Sequence, residues 1–197
     1  MSSTPLRLAV IIGSNRDGRF GPVIGNWFVE QAKEYGNYEV DVIDLAEANL
    51  PSVLPAFGAA PSEETAAAVG AITPILAKAD AFVVLTPEYN HSYPAVLKVA
   101  IDWHNAEWHG KPVGFVCYGG FSAGLRAVEH LRGVFAELNA VTIRETVSFA
   151  GAWGQFDEKG APRDPEGVNT AAKTLLKQLE WWAEGLREAR AKTPFGS

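Results

Sequence analysis

The segment GSNRDGRFG, residues 13–21, carries the residue types of an anion-binding loop. Gly13 and Gly18 have the spacing of the glycines in a nucleoside-triphosphate loop, but Arg19 and Phe20 stand where that loop has Lys and Ser or Thr. The hydroxyl that would bind magnesium is therefore missing. Short polar side chains, two guanidinium groups and the backbone N–H groups at a helix start suit a terminal phosphomonoester that needs no metal. A plain strand-to-helix connection with solvated arginines is the alternative.

The same loop departs from the dinucleotide pattern G-x-G-x-x-G, because Asn15 occupies the place of the middle glycine. Asp44 nevertheless follows the loop at about the sequence spacing of the carboxylate that binds the ribose of a nicotinamide cofactor. This spacing leaves one alternative interpretation, a dehydrogenase that uses only a nicotinamide cofactor.

Two further segments have the composition of a site for a planar ring. Residues 86–103 combine the stacking surfaces of Tyr89 and Tyr93 with several polar side chains. Residues 118–135 begin with a Gly-Gly pair that lets a ligand approach the backbone, and Ser122 is predicted to cap the helix that follows. Apolar residues recur at helical spacing in that helix and are predicted to be core: Leu125, Val128, Leu131, Phe135 and Leu138.

Hydrophobic periodicity predicts alternating strands and helices around these segments. The predicted strands are 6–12, 38–45, 81–86, 111–118 and 141–149. The predicted helices are 22–35, 63–78, 95–103, 122–138 and 166–190. Five strand-helix units in succession predict a parallel sheet with helices on both faces.

The polarity of the strands predicts their order. The first, third and fourth strands are almost continuously apolar, whereas charged residues interrupt the second and the fifth, which are therefore predicted to be the edges. This pattern favours an α/β, flavodoxin-like three-layer sandwich with a five-stranded parallel sheet in the order 2-1-3-4-5, formed by a single domain over residues 1–197. In such a sheet the ligand lies beyond the carboxyl ends of the strands, where the order reverses between the first and third, and the three segments above follow the first, third and fourth strands.

Composition excludes several function classes. The chain has 197 residues, 47% of them hydrophobic, and a formal net charge of -6, which argues against a nucleic-acid or anionic-membrane surface. No apolar run of about 18 residues or signal region is found, so a cytoplasmic protein is predicted. Cys117, the one cysteine, is predicted to be a buried structural thiol. The four histidines lack the spacing of a metal site, and no G-x-S-x-G nucleophile elbow occurs.

Three segments carry a resemblance to a known family: GSNRDGR after the first strand, PEYNHSYPAVLKVAIDW with EWHGKPVGFV after the third, and YGGFSAGLRAVEHLR after the fourth. Over roughly residues 6–150 the chain resembles the NADPH-dependent FMN reductase family. The PEYN segment is the most specific of these. The chain departs from the family's frequent residues at Asn15, Asp17, Ala95, Val99 and His130.

The resemblance implies a role for each matching position. Ser14, Arg16 and Arg19 would hold the FMN phosphate, and Asn15 and Phe20 would contribute to the loop. The isoalloxazine ring would be framed by Pro87, Glu88, Tyr89, Asn90, Tyr118, Gly119 and Gly120. The resemblance also implies a homodimer or a homotetramer with the flavin near a subunit boundary. Trp103, Trp108, Trp153 and Phe156 are candidates for that boundary, or else ordinary core residues.

These roles predict an FMN-dependent oxidoreductase that takes hydride from NADPH or NADH. Its second acceptor would be a small molecule, namely free flavin, a quinone, an azo compound or a metal oxyanion. No catalytic side chain is predicted, because FMN carries the chemistry. The alternative is a flavodoxin-like electron carrier or a flavin-dependent redox sensor without NAD(P)H turnover.

Overall fold

A computed structural model describes residues 4–196, and ten regular elements alternate along this range. The strands are β1 (Leu6–Ile12), β2 (Tyr38–Asp44), β3 (Ala81–Pro87), β4 (Pro112–Gly119) and β5 (Val141–Ala150). The helices are α1 (Gly21–Tyr35), α2 (Glu63–Lys78), α3 (Ala95–Asp102), α4 (Leu125–Glu137) and α5 (Pro165–Lys192). A short 3₁₀ turn, Ala152–Gly154, follows β5.

The strands form one parallel sheet in the order β2-β1-β3-β4-β5, which confirms the predicted flavodoxin-like topology and both predicted edges. Alternate residues of β1 point to opposite faces of the sheet. Leu8 and Val10 pack toward α1 and α5, whereas Ala9 and Ile11 pack toward the layer that contains α2, α3 and α4. Both faces of the central strands are therefore covered, which is why their sequences are almost continuously apolar.

The end of β1 is the point at which the sheet order reverses. Ile12 is in register with Asp44 of β2 on one side and with Leu85 of β3 on the other. The loop that follows Ile12 consequently leaves the sheet between the ends of β2 and β3. This position is the ligand crevice of an open parallel sheet.

Helix α1 ends at the predicted residue and begins one residue earlier than predicted, at Gly21. Pro22 lies in its first turn, where the missing N–H has no intrahelical partner to lose, and Gly36 terminates it with a φ of 90°.

The start of α4 differs from the prediction. The helix begins at Leu125 rather than at 122, its N-cap is Gly124, and Ser122 does not cap it. Ala123 and Gly124 both have positive φ, 56° and 88°, so the chain makes a left-handed turn before the helix can start. This turn leaves Leu125 47% exposed, and the prediction that Leu125 is core is wrong. Val128, Leu131 and Phe135 are buried as predicted.

Within the described range 4–196, none of the helices combines the length and the apolar character that crossing a membrane requires.

Candidate cofactor site

The loop between β1 and α1 exposes a row of unpaired backbone donors. Its two ends are fixed, because the N–H of Gly13 donates to the carbonyl of Leu85 at 2.7 Å and the N–H of Arg19 donates to the carbonyl of Arg16 at 3.1 Å. Residues 15–18 are exposed, and within the described chain their N–H groups donate to no protein acceptor. Consecutive free N–H groups in a turn form a concavity that binds anions.

The first turn of α1 adds a positive electrostatic potential at the same place. The N-cap residue, Phe20, has no side chain that could accept from the helix N–H groups, and the first turn contains no acidic residue. The partial positive charge of the helix start is therefore not compensated from within α1. Gly21 permits a close packing there, since a Cβ at this position would lie 2.8 Å from Ser14 Oγ.

The two arginines of the loop are in different environments. Arg16 is exposed and makes no ion pair or hydrogen bond through its side chain with the described part of the protein. Arg19 is largely buried and binds both carboxylate oxygens of Asp44, with Nη1 to Oδ1 at 2.5 Å and Nη2 to Oδ2 at 2.7 Å. The hydrogen bond with Asp44 raises the pKa of Arg19. Asp44 is paired with Arg19 and its side chain is only 15% exposed, which disfavours the ribose contact of a nicotinamide-only dehydrogenase.

Ser14 and Tyr118 are in contact with each other on the buried side of the loop. Ser14 is fully buried, and its Oγ lies 3.5 Å from Oη of Tyr118, whose side chain is 6% exposed. Burial raises the pKa of Tyr118, so its hydroxyl stays protonated at neutral pH. Neither the Ser14 side chain nor the Tyr118 ring is open to solvent in this conformation.

The segment after β3 forms a tight hairpin that sequence reasoning did not identify. Tyr89 and Ser92 exchange backbone hydrogen bonds of 2.8 and 3.1 Å. The two residues between them, Asn90 and His91, have φ values of 48° and 73°, as in a type I′ turn. Asn tolerates this conformation but a second residue such as His rarely adopts it, which explains why the sequence contains no recognisable hairpin signal. The turn holds Tyr89 and Asn90 in a fixed position at the edge of the crevice.

Glu88 is occupied by an ion pair rather than directed to solvent. Its side chain is 5% exposed, and its Oε1 accepts from Nε of Arg126 at 2.6 Å. Burial alone would raise the pKa of Glu88, but hydrogen bonds from Ser122 and Arg126 outweigh burial and lower it. Sequence reasoning missed Arg126, because an isolated arginine early in a helix is indistinguishable from a solvated one. The pair joins the loop after β3 to the start of α4.

The two glycines after Tyr118 have different surroundings. A Cβ on Gly119 would lie 3.1 Å from the N of Gly124 and 3.5 Å from Cβ of Glu88, so this position is closely packed. A Cβ on Gly120 would meet no atom of the described residues within 4 Å. Open space beside Gly120 leaves room for a planar group to approach the backbone.

The four candidates for a subunit boundary differ in how far they are buried. Trp108 and Phe156 are core residues, 1% and 3% exposed. Trp103 is half-buried and donates from Nε1 to the carbonyl of Pro51 at 2.8 Å. Trp153 is 66% exposed and is the one of the four that presents a large apolar surface to solvent.

The histidines do not assemble into a ligand set. His104 is buried, with its ring nitrogens bonded to the carbonyl of Ala100 at 2.8 Å and to Oγ1 of Thr73 at 3.0 Å. Across residues 4–196 there is no group of three or more His, Cys, Asp or Glu side chains that could hold a metal ion.

The thiol of Cys117 is expected to be inert in the folded protein. Cys117 is fully buried in β4, and burial raises the pKa of its thiol to about 12. Since the thiolate is the reactive form, native protein at pH 8 should not react with a thiol reagent such as dithiobisnitrobenzoate within minutes, whereas urea-unfolded protein should release one equivalent per chain. Rapid stoichiometric reaction of the native protein would contradict this prediction.

Three loops at the carboxyl ends of β1, β3 and β4 thus meet at the reversal point of the sheet, with unpaired N–H groups, an exposed guanidinium and an open backbone. This geometry defines a flavodoxin-like protein with a site for a phosphorylated planar cofactor. The chain belongs to the NADPH-dependent FMN reductase family, whose model matches residues 6–154. The predicted cofactor, FMN, and the predicted electron donor, NAD(P)H, agree with this family.

Individual relatives agree with the family match. The chain is 38% identical over 123 residues to an NAD(P)H-dependent FMN reductase of Schizosaccharomyces pombe, an alignment that spans 60% of each chain. It is 30% identical over 198 residues to a quinone reductase of Escherichia coli K12, which covers 95% of this chain and 99% of that one. A flavoenzyme NAD(P)H:(acceptor) oxidoreductase from Paracoccus denitrificans superposes with a TM-score of 0.67, at 22% identity, over 93% of this chain and 98% of its own. At that identity the superposition shows the shared fold.

Proposed function

We propose that the protein is an FMN-dependent oxidoreductase that works in two half-reactions. FMN, when bound, would supply the hydride transfer from NAD(P)H to a second, small-molecule acceptor, and the two substrates would use the same space in turn. The observation that carries this proposal is the row of unpaired N–H groups at residues 15–18 beside the exposed guanidinium of Arg16.

The chain itself would bind and orient the cofactor. Arg16 and the backbone of residues 15–18 would bind the phosphate, with the start of α1 adding a favourable potential. The remaining proposed contacts follow the family resemblance. Ser14, Asn15, Arg19 and Phe20 would complete the phosphate loop, and Pro87, Glu88, Tyr89, Asn90, Tyr118, Gly119 and Gly120 would frame the ring. For Glu88 and Tyr118, whose side chains are buried, this framing would come mainly from the backbone.

The acceptor would be a free flavin, a quinone, an azo compound or a metal oxyanion. The names of the relatives, an FMN reductase and a quinone reductase, favour the first two. NADPH or NADH would serve as donor. Residues 1–197 as one domain and a cytoplasmic location remain predictions.

Exposed apolar side chains around the crevice support a homodimer or a homotetramer. Phe57, in the loop after β2, and Phe121, in the loop after β4, are fully exposed, with relative exposures of 110% and 104%. Val53, Leu54 and Leu125 are exposed in the same two regions. Large apolar side chains grouped on one side of a protein mark an interaction surface. We propose that a second copy of the chain covers this side.

An anaerobic titration of the FMN-reconstituted protein with NADPH tests the proposed function. Loss of flavin absorbance near about 450 nm within the mixing time, complete at one equivalent of donor, is the expected result. Bound flavin that NADPH and NADH reduce only over hours would instead favour an electron carrier or a redox sensor. Protein that binds no FMN would overturn the proposal.

A further inference from the structure

Asp44 lies beside the phosphate loop although its charge opposes an anion. It is the last residue of β2 and pairs in register with Ile12, after which the loop begins. The N–H of Leu45, the next residue, donates to the carbonyl of Ile12 at 3.2 Å, which fixes the end of β2 against the start of the loop.

The carboxylate of Asp44 is held in one orientation. Its Oδ1 accepts both from Nη1 of Arg19 at 2.5 Å and from the N–H of Ala46 at 3.1 Å. Its Oδ2 accepts from Nη2 of Arg19 at 2.7 Å. The side chains of Arg19 and Asp44 are only 16% and 15% exposed, so solvent screens this pair less than it screens a surface ion pair.

Arg19 links the fixed carboxylate of Asp44 to the loop by hydrogen bonds. Its Nη1 also donates to the carbonyl of Ser14 at 2.9 Å, and its N–H closes the turn onto the carbonyl of Arg16. The guanidinium of Arg19 therefore connects the end of β2 to the first half of the loop, and its backbone N–H closes the second half. Three of the five guanidinium N–H groups are used in the bonds to Asp44 and Ser14, and the other two donate to no acceptor of the described residues.

We infer that Asp44 is a positioning residue that fixes the phosphate loop through Arg19, so that residues 15–18 are arranged for a phosphomonoester before it binds. The inference rests on the proposed function in one respect, namely that this loop holds the FMN phosphate. Asp44 acts through Arg19 and does not itself touch the ligand.

The direction in which one substitution changes phosphate affinity distinguishes this role from a simple charge effect. Asp44→Asn removes a negative charge next to the anion site, and Coulomb's law alone predicts that a phosphate then binds more tightly. If Asp44 positions Arg19, the same substitution breaks the paired hydrogen bonds and loosens the loop, and the phosphate binds more weakly.

The experiment measures the dissociation constants of FMN and of riboflavin, which carries the same ring without the phosphate, by flavin fluorescence. We expect Asp44→Asn to weaken FMN binding about 10-fold and to change riboflavin binding less than about twofold. Asp44→Glu keeps the carboxylate and should recover part of the loss. In a double-mutant cycle, Asp44→Asn should add little to the loss caused by Arg19→Met, because both remove the same connection. Urea unfolding of each apo variant verifies that it is folded.

Each other outcome overturns the inference in a recognisable way. Tighter or unchanged FMN binding by folded Asp44→Asn would show that Asp44 does not position the loop. Equal weakening of FMN and riboflavin would show a general structural role. Wild-type protein that does not prefer FMN over riboflavin would overturn both this inference and the proposed phosphate site, whereas failure of the inference alone leaves the wild-type preference intact.

Discussion

Gly124→Ala is expected to destabilise the protein by about 3–5 kcal/mol, which is much of the stability of a typical domain. Gly124 has a φ of 88°, and a Cβ there would lie 2.6 Å from the N of Tyr118 and 2.7 Å from Cβ of Cys117. The first of these contacts is with the backbone of β4 near its carboxyl end, so no side-chain rotation relieves it. Strain from the positive φ adds to the overlap. Urea unfolding followed by circular dichroism measures the change.

Gly120→Ala is the matched control for this substitution. Gly120 lies four residues earlier in the same loop, has no positive φ, and a Cβ there meets no described atom within 4 Å. Its unfolding free energy should change by less than about 0.5 kcal/mol. Similar stabilities for the two variants would show that the turn before α4 adapts to a side chain, contrary to our expectation.

Arg16→Ala is expected to weaken FMN binding by roughly 10- to 100-fold and to leave riboflavin binding almost unchanged. The estimate corresponds to loss of one charged hydrogen-bonding group on a phosphate. Arg16 is exposed, and its side chain pairs with no acidic group of the described residues, so its removal leaves no buried partner unsatisfied. Folding stability should therefore stay within about 0.5 kcal/mol of wild type. Fluorescence titration with each flavin gives both constants.

Arg144→Ala controls for the change in net charge. Arg144 is on the edge strand β5, its side chain is 87% exposed, and its ion pair is with the neighbouring Glu145. Loss of this charge should leave FMN affinity within about twofold of wild type. If Arg144→Ala weakens FMN as much as Arg16→Ala does, the effect is long-range electrostatics and Arg16 is not a phosphate ligand.

Much of the fold could be predicted because the relevant signals are local. The bounds of β1 match the predicted ones, since a buried parallel strand must be apolar on both faces and must end where polar loop residues begin. Charged residues in β2 and β5 identified the edges, because a charged side chain is costly on a covered face. The start of α4 was predicted less well, since Ser122 resembles an N-cap while the left-handed turn at Ala123 and Gly124 depends on packing against β4.

The sequence by itself determined the order of the strands, and from residue type and that order it predicted an anion-binding loop after β1 and ring-binding segments after β3 and β4. The tertiary structure alone decided which charged side chains are already paired within the protein. Arg16 and Arg19 are the same residue type three positions apart, yet Asp44, distant in sequence, binds one of them and not the other. Glu88 is likewise committed to Arg126, 38 residues away. Such pairings depend on register between strands and on helix placement, which no local pattern of residues specifies.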